Sequence, residues 1–200
     1  IAALITAIGV SYFIEYTTQY LVGAEPIKFP QLLPNTAIHV GSLRITSEQI
    51  FIFIITICLM ILLQFIISKT RMGRAMRAVS VDEDAAKLMG INVDATISFT
   101  FLLGSALAGV AGILVGVYYN TMNPLMGFTP GLKAFIAAVF GGIGSVPGAL
   151  IGGFFVGIAE TMVVAYGSSL WKDAIVYVIL ILILIIKPEG LLGKNEREKV

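Results

Sequence analysis

Two hundred residues, 58% of them hydrophobic and 12% charged, make a chain about half as charged as an ordinary globular domain and richer in apolar side chains. The apolar residues fall in long runs, so lipid is the solvent that most of them fit. A net charge of +1, one cysteine (Cys58) and one histidine (His39) exclude an intrachain disulfide framework and a Cys/His metal cluster, and leave no footprint for nucleic acid.

Ile1 to Ile14 is apolar but shorter than the roughly 20 residues that span a bilayer. It lacks the flanks of a signal peptide, and we read it as the tail of a transmembrane helix whose beginning is absent. Glu15 to Glu48, with Pro26, Pro30 and Pro34, reads as a long connection, in which His39 is a solvated or loop-packing residue. Gln49 to Ile67 is a span. Ser68 to Thr96 carries most of the interior charge. Ile97 to Tyr119 is a second span, followed by a Pro/Gly-punctuated loop from Asn120 to Lys133. Ala134 to Phe140 is apolar but short and runs into Gly141-Gly142-Ile143-Gly144-Ser145-Val146-Pro147-Gly148. Ala149 to Tyr166 is another span, Gly167 to Lys172 a turn, Asp173 to Ile186 the last span, and Lys187 to Val200 a charged tail.

Basic residues near span ends set orientation. Lys69, Arg71, Arg74, Arg77 and Lys87 crowd the loop over 68–96, and Lys187, Lys194, Arg197 and Lys199 crowd the tail; both are expected to be cytoplasmic. Tyr12, Tyr16, Tyr20, Tyr118, Tyr119, Tyr166 and Trp171 then fall near the outer ends, where amphipathic rings favour the interface. Parity requires Leu125 to Phe140 to cross inward as a half-helix or a tilted, broken one. Irregular backbone at depth must be buried in protein or line a wet cavity, and broken helices often border transport routes. Gly141, Gly142, Gly144, Pro147 and Gly148 are therefore candidates for such a route. The expected fold is all-α: one polytopic transmembrane helix bundle over 1–200, with a short cytoplasmic helix and a glycine-broken helix.

Gly104, Ala108, Gly112 and Gly116 recur every fourth residue, so they share one helix face that lets another backbone approach. Gly148 with Gly152, and Gly153 with Gly157, repeat the device; plain bundle packing explains each singly. Glu160 is read as the ionisable residue inside a span. It is either a contact of the translocation path or a hydrogen-bond partner of a neighbouring helix, and both readings stay open. Asp173 reads as a cap at a helix start.

The loop between the first two clear spans carries the sharpest signal. Met72, Met76 and Val79 share a helical face beside Arg71 and Arg74, as in a helix resting on an anionic membrane surface. Ser80 followed by Glu83 has the spacing of a capping box, which predicts a new helix of about three turns from Val81. Asp82, Glu83 and Asp84 suit its first turn. Gly90 is the expected left-handed stop, with Ile91 packing back on Ala85 or Ala86, and Asn92 is placed to cap the next helix. Ala85, Leu88 and Met89 form a small apolar face. So short a helix is marginal in water on its own; it is either a solvated loop helix or one that docks on the membrane or on a partner.

Asp84-Ala85-Ala86-Lys87-Leu88-Met89-Gly90 resembles the EAA loop of ABC-importer permeases, with Asp in place of Glu. No Ile-x-Leu-Pro comes after it, which turns the resemblance toward the branched-chain amino acid subfamily, the LivH-type permeases. Arg74-Ala75-Met76-Arg77-Ala78, Leu88-Met89-Gly90-Ile91-Asn92, Lys133-Ala134-Phe135, the run from Gly141 to Ala149, Gly157-Ile158-Ala159-Glu160 and Pro188-Glu189-Gly190-Leu191-Leu192-Gly193 are similar to that subfamily, whose members are longer at the N-terminus. The resemblance implies a multi-pass permease of the prokaryotic inner membrane that binds no cofactor itself. It implies a second, LivM-like permease, two ATP-binding cassettes that use ATP and Mg, and a soluble substrate-binding protein. Segment 80–91 becomes a coupling helix, with Asp82, Asp84, Ala85, Ala86, Leu88, Met89 and Gly90 meeting a cassette. The sequence holds no Gly-x-x-x-x-Gly-Lys-Ser/Thr loop and no Ser/His/Asp, Cys/His or HExxH set, which points away from an enzyme. The rival readings are an ion-coupled secondary transporter or channel and a membrane scaffold.

Overall fold

The computed structural model describes residues 2–30, 37–40, 43–187 and 190–193. Pro34, Pro188, Glu189 and the basic tail residues Lys194, Arg197 and Lys199 lie outside the described residues, as does their part in the orientation argument. The described chain is a helical, polytopic bundle with only short strands. Four of its helical segments, Ser47–Lys69, Val93–Tyr119, Val146–Tyr166 and Ser169–Ile186, are long and apolar enough to cross a membrane. Two compact units divide it, 1–59 with 69–127 and 60–68 with 128–200.

The first unit opens with α1 (Ala2–Val22). The connection expected from Glu15 is instead helical to Val22. No glycine or proline occurs from Glu15 to Val22, and Ser11 and Thr18 satisfy themselves within the helix, on Glu15 and the Ile14 carbonyl. Gly23 (φ +104°) ends it, donating to the Gln19 carbonyl at 2.9 Å. The rest of the expected connection holds β1 (Ile27–Lys28), β2 (Ala37–Val40) and β3 (Leu43–Thr46). β2 and β3 pair antiparallel, with Val40 opposite Leu43. Next come α2 (Ser47–Lys69), of which residues 60–68 count with the second unit, α3 (Arg71–Val81), α4 (Glu83–Leu88) and α5 (Val93–Tyr119). Asn120, left-handed at φ 55°, ends α5. β4 (Thr121–Met122) comes next and pairs with β1.

In the second unit, α6 (Phe128–Gly141) and α7 (Val146–Tyr166) form an antiparallel hairpin. A 3₁₀ turn (Ser169–Trp171) leads to α8 (Lys172–Ile186). The 14 residues of α6 cover about 21 Å, less than the roughly 30 Å of a hydrocarbon core, so the helix before the glycine turn is short, as expected from the sequence. The preceding loop is shorter than expected, because Phe128 to Lys133 is already helical. Ile136, Ala137, Val156 and Val176 form the core of the three helices, with Leu180 against them. Phe140 and Phe155 stack with ring centroids 4.6 Å apart.

Candidate functional site

Thr70 caps α3, its hydroxyl oxygen accepting from the Gly73 amide at 3.0 Å. Arg71, Arg74 and Arg77 are exposed, whereas Met72, Gly73, Met76 and Val79 turn to the covered face, as the spacing requires. The capping box does not form. The α3 ladder runs on until the Asp82 amide meets the Ala78 carbonyl at 3.2 Å. Ser80 is therefore inside a helix, and its hydroxyl donates back to the Arg77 carbonyl at 2.9 Å. Asp82, extended at φ −156°, ψ 112°, is the residue with N-cap geometry. Its Oδ1 accepts the amides of Asp84 and Ala85 at 2.9 Å each, so α4 starts two residues later than the Ser80 spacing predicts.

The α4 helix has six residues, less than the three turns expected, yet it is fastened at both ends. Gly90 (φ +80°) donates to the Lys87 carbonyl and Ile91 to the Ala86 carbonyl, both at 3.0 Å. This paired closure is the left-handed stop that Gly90 was expected to make. Lys87 bonds Glu83 at 2.9 Å, and that bond foremost raises the affinity of its ammonium for its proton. Ala86 alone among the seven coupling candidates is buried; Asp82, Asp84, Ala85 and Gly90 are exposed, and Leu88 and Met89 are 89% and 82% exposed. Asn92 then caps α5 through the Ala95 amide at 3.0 Å, as its position suggested.

The glycine-rich turn is built by close backbone approach. A Cβ on Gly141 would fall on the Gly148 carbonyl, one on Gly148 on the Gly141 carbonyl, and one on Gly152 on the Ala137 carbonyl. Ser145 caps α7, accepting from the Gly148 amide at 3.1 Å, and Pro147 sits in the first turn, where its missing amide costs nothing. The carbonyls at the α6 C-terminus are satisfied by later chain. Leu191 and Leu192 donate to Phe140 and Gly141 at 2.9 Å each, and Gly190 (φ +78°) lies against Gly142. Of the route candidates, Gly141, Gly142 and Gly148 are thus buried in backbone contacts, while Gly144 and Pro147 are exposed.

Glu160 has a partner that composition alone places in a loop. The Lys133 ammonium, five residues into α6, donates to Glu160 Oε1 on α7. It also lies 2.9 Å from Asp173 Oδ1 in the first turn of α8. Asp173 therefore does not cap α8, whose N-cap position is Trp171 and carries no side-chain cap bond; it pairs with a cation from the first turn instead. A lone lysine within Gly131-Leu132-Lys133-Ala134-Phe135-Ile136 was the available signal, because an ammonium in an apolar helix calls for a carboxylate. Of the small-residue stripe on α5, Gly104, Ala108 and Gly112 are exposed, and Gly104 and Gly112 have open space where a Cβ would stand. Gly116 is buried beneath the Phe29 ring.

Four apolar spans, a short helix ending in a glycine turn and an exposed, doubly fastened helix between two spans define a multi-pass membrane protein. The chain belongs to the family described as branched-chain amino acid transport system, permease component, which it matches over residues 1–184. It is 46% identical to the high-affinity branched-chain amino acid transport system permease protein LivH of Escherichia coli K12, covering 99% of this chain and 66% of that protein. With BraD of Pseudomonas aeruginosa, of the same description, it shares 41% identity over 98% of this chain and 66% of that protein. A probable LivH of Methanocaldococcus jannaschii is 35% identical over 70% of this chain and 46% of that protein. The chain spans just under two thirds of the length of the first two. No solved structure matches it.

Proposed function

We propose that this chain is the membrane-spanning part of a permease in an ATP-driven importer for branched-chain amino acids, in a prokaryotic inner membrane. Family membership and the transport named for its relatives support the class and the substrate. The carrying observation is α4: a helix too short to sustain itself, locked by Asp82 and Gly90, that leaves Leu88 and Met89 outside. Seating them in a cleft of a partner returns about 1.5–3 kcal/mol for each. In this reading the partner is one of two cassettes that hydrolyse ATP with Mg, and segment 68–96 and the tail face the cytoplasm. A second, LivM-like permease completes the pathway, a soluble binding protein delivers the amino acid, and this chain binds no cofactor. Gly144 and Pro147, on the exposed rim of the glycine turn, border the route; Gly141, Gly142 and Gly148 shape that turn.

The test uses the full-length complex in vesicles with its binding protein and labelled leucine. Leu88→Asp should lower ATP-dependent uptake and cassette retention about tenfold or more, the effect of 1.4 kcal/mol or above, with the permease still inserted. Uptake that persists without cassettes, on an ion gradient, would replace the importer with an ion-coupled transporter or channel.

A further inference from the structure

The two arms that hold Lys133 are unequal. Lys133 and Glu160 are each 22% exposed, and a directed hydrogen bond joins them. Asp173 is 44% exposed as a side chain, although its Oδ1, 2.9 Å from the ammonium, is itself covered. The Glu160 arm bridges α6 and α7, which cannot slide because their backbones already touch at Gly141, Gly148 and Gly152. The Asp173 arm holds a looser element. The chain from Val164 to Trp171 is exposed throughout, with Tyr166, Leu170 and Trp171 at 88%, 87% and 64%. Residues 172–175 are half-buried, and full burial is reached at Val176, 1% exposed and one turn beyond Asp173. The other end of α8 is anchored where Leu191 and Leu192 bond the α6 C-terminus.

We propose that the α7–α8 connection, Gly167 to Trp171 with the first turn of α8, is a strap fastened by Lys133–Asp173, and that it lifts during transport while α6–α7 stays rigid. This rests on the transport reading above. Glu160 is the permanent arm that keeps Lys133 in place; Asp173 is the releasable one. Lys133 is thus a positioning residue. It acts through Asp173 on the end of the unit opposite the glycine turn, the side on which, in that reading, substrate arrives.

Spin labels test this in the full-length complex, in a Cys58→Ser background. One pair joins α6 to the strap (Phe128→Cys with Leu170→Cys), and a control pair joins α6 to α7 (Phe128→Cys with Met162→Cys). Asp173→Asn should raise the long-distance population of the strap pair roughly two- to fivefold, the range that a partly exposed ion pair supplies. The control pair should not change, and Asp173→Glu should restore the strap. Lys133→Met, which removes both arms, should broaden the strap pair and leave the control pair unchanged, because backbone contacts at Gly141, Gly148 and Gly152 still hold α6 on α7. Half-saturation by the loaded binding protein should shift by a similar factor for Asp173→Asn, with maximal uptake within about twofold of the unsubstituted rate. An unaltered strap pair, or equal broadening of both pairs, overturns the strap. A complex without ATP-dependent uptake defeats the transport reading instead and leaves the label distances to judge the strap.

Discussion

Replacing Gly152 by alanine probes how α6 and α7 meet. The new methyl carbon would fall on the Ala137 carbonyl oxygen, 2.9 Å from that carbonyl carbon and 3.1 Å from the Gly141 nitrogen. Carbon contacts relax near 3.5 Å, so the helices must part by roughly 0.6 Å or more. All the obstructing atoms are backbone, so a side-chain rotation cannot relieve them. Parting the pair also loosens Ile136, Val156 and Val176, which meet on the same face. Overpacking of this kind costs about 1–3 kcal/mol, and the helix propensity of alanine offsets at most about 1 kcal/mol of it. Gly153 and Gly157 supply the control within the same helix. A Cβ on Gly153 would sit 4.0 Å from the Ala137 methyl, an ordinary contact, and one on Gly157 would meet nothing within 4 Å. Reversible denaturant unfolding of the full-length protein in mixed micelles should rank Gly152→Ala below the unsubstituted protein by about 1–2 kcal/mol, with Gly153→Ala and Gly157→Ala at or above it. Equal stability for Gly152→Ala and Gly153→Ala would refute a backbone-on-backbone contact.

Amide exchange should separate the two capping assignments for α4. Asp82→Ala should lose about 0.5–2 kcal/mol of protection across Glu83 to Leu88, whereas Ser80→Ala, whose hydroxyl serves only the Arg77 carbonyl, should leave those amides alone; the reverse order would restore the capping box. Gly116→Ala should be destabilising because its methyl would sit 2.8 Å from the Phe29 ring. Adding Phe29→Ala should recover part of that loss, a non-additivity of about 0.5 kcal/mol or more in a double-mutant cycle; strict additivity would break the contact.

Much of the molecule was legible as a string. Apolar runs located the spans, because lipid demands about 20 residues that carry little charge. Gly90 and Asn92 announced their caps, because a helix end satisfies its orphan groups from residues next in sequence. Even the failure at Ser80 was local: Asp82 offered an equal cap two residues on, and spacing could not rank the two. The face of α3 was legible for the same reason, since period and side-chain type together decide which residues are covered.

What opposes each face was not in the string. Gly104, Ala108 and Gly112 have the same every-fourth spacing as Gly148 and Gly152, yet within this chain the first set is open and the second touches backbone. Periodicity states which residues share a side of a helix, and only the three-dimensional arrangement supplies the other side. Lys133 read as the end of a loop because its partners lie 27 residues away on α7 and further still on α8. The ion pairs exist because the glycine crossing sets α6 against α7 and the Leu191–Leu192 anchor sets the far end of α8. A charge buried among apolar neighbours is legible as a need, but which carboxylate meets it depends on how the helices cross.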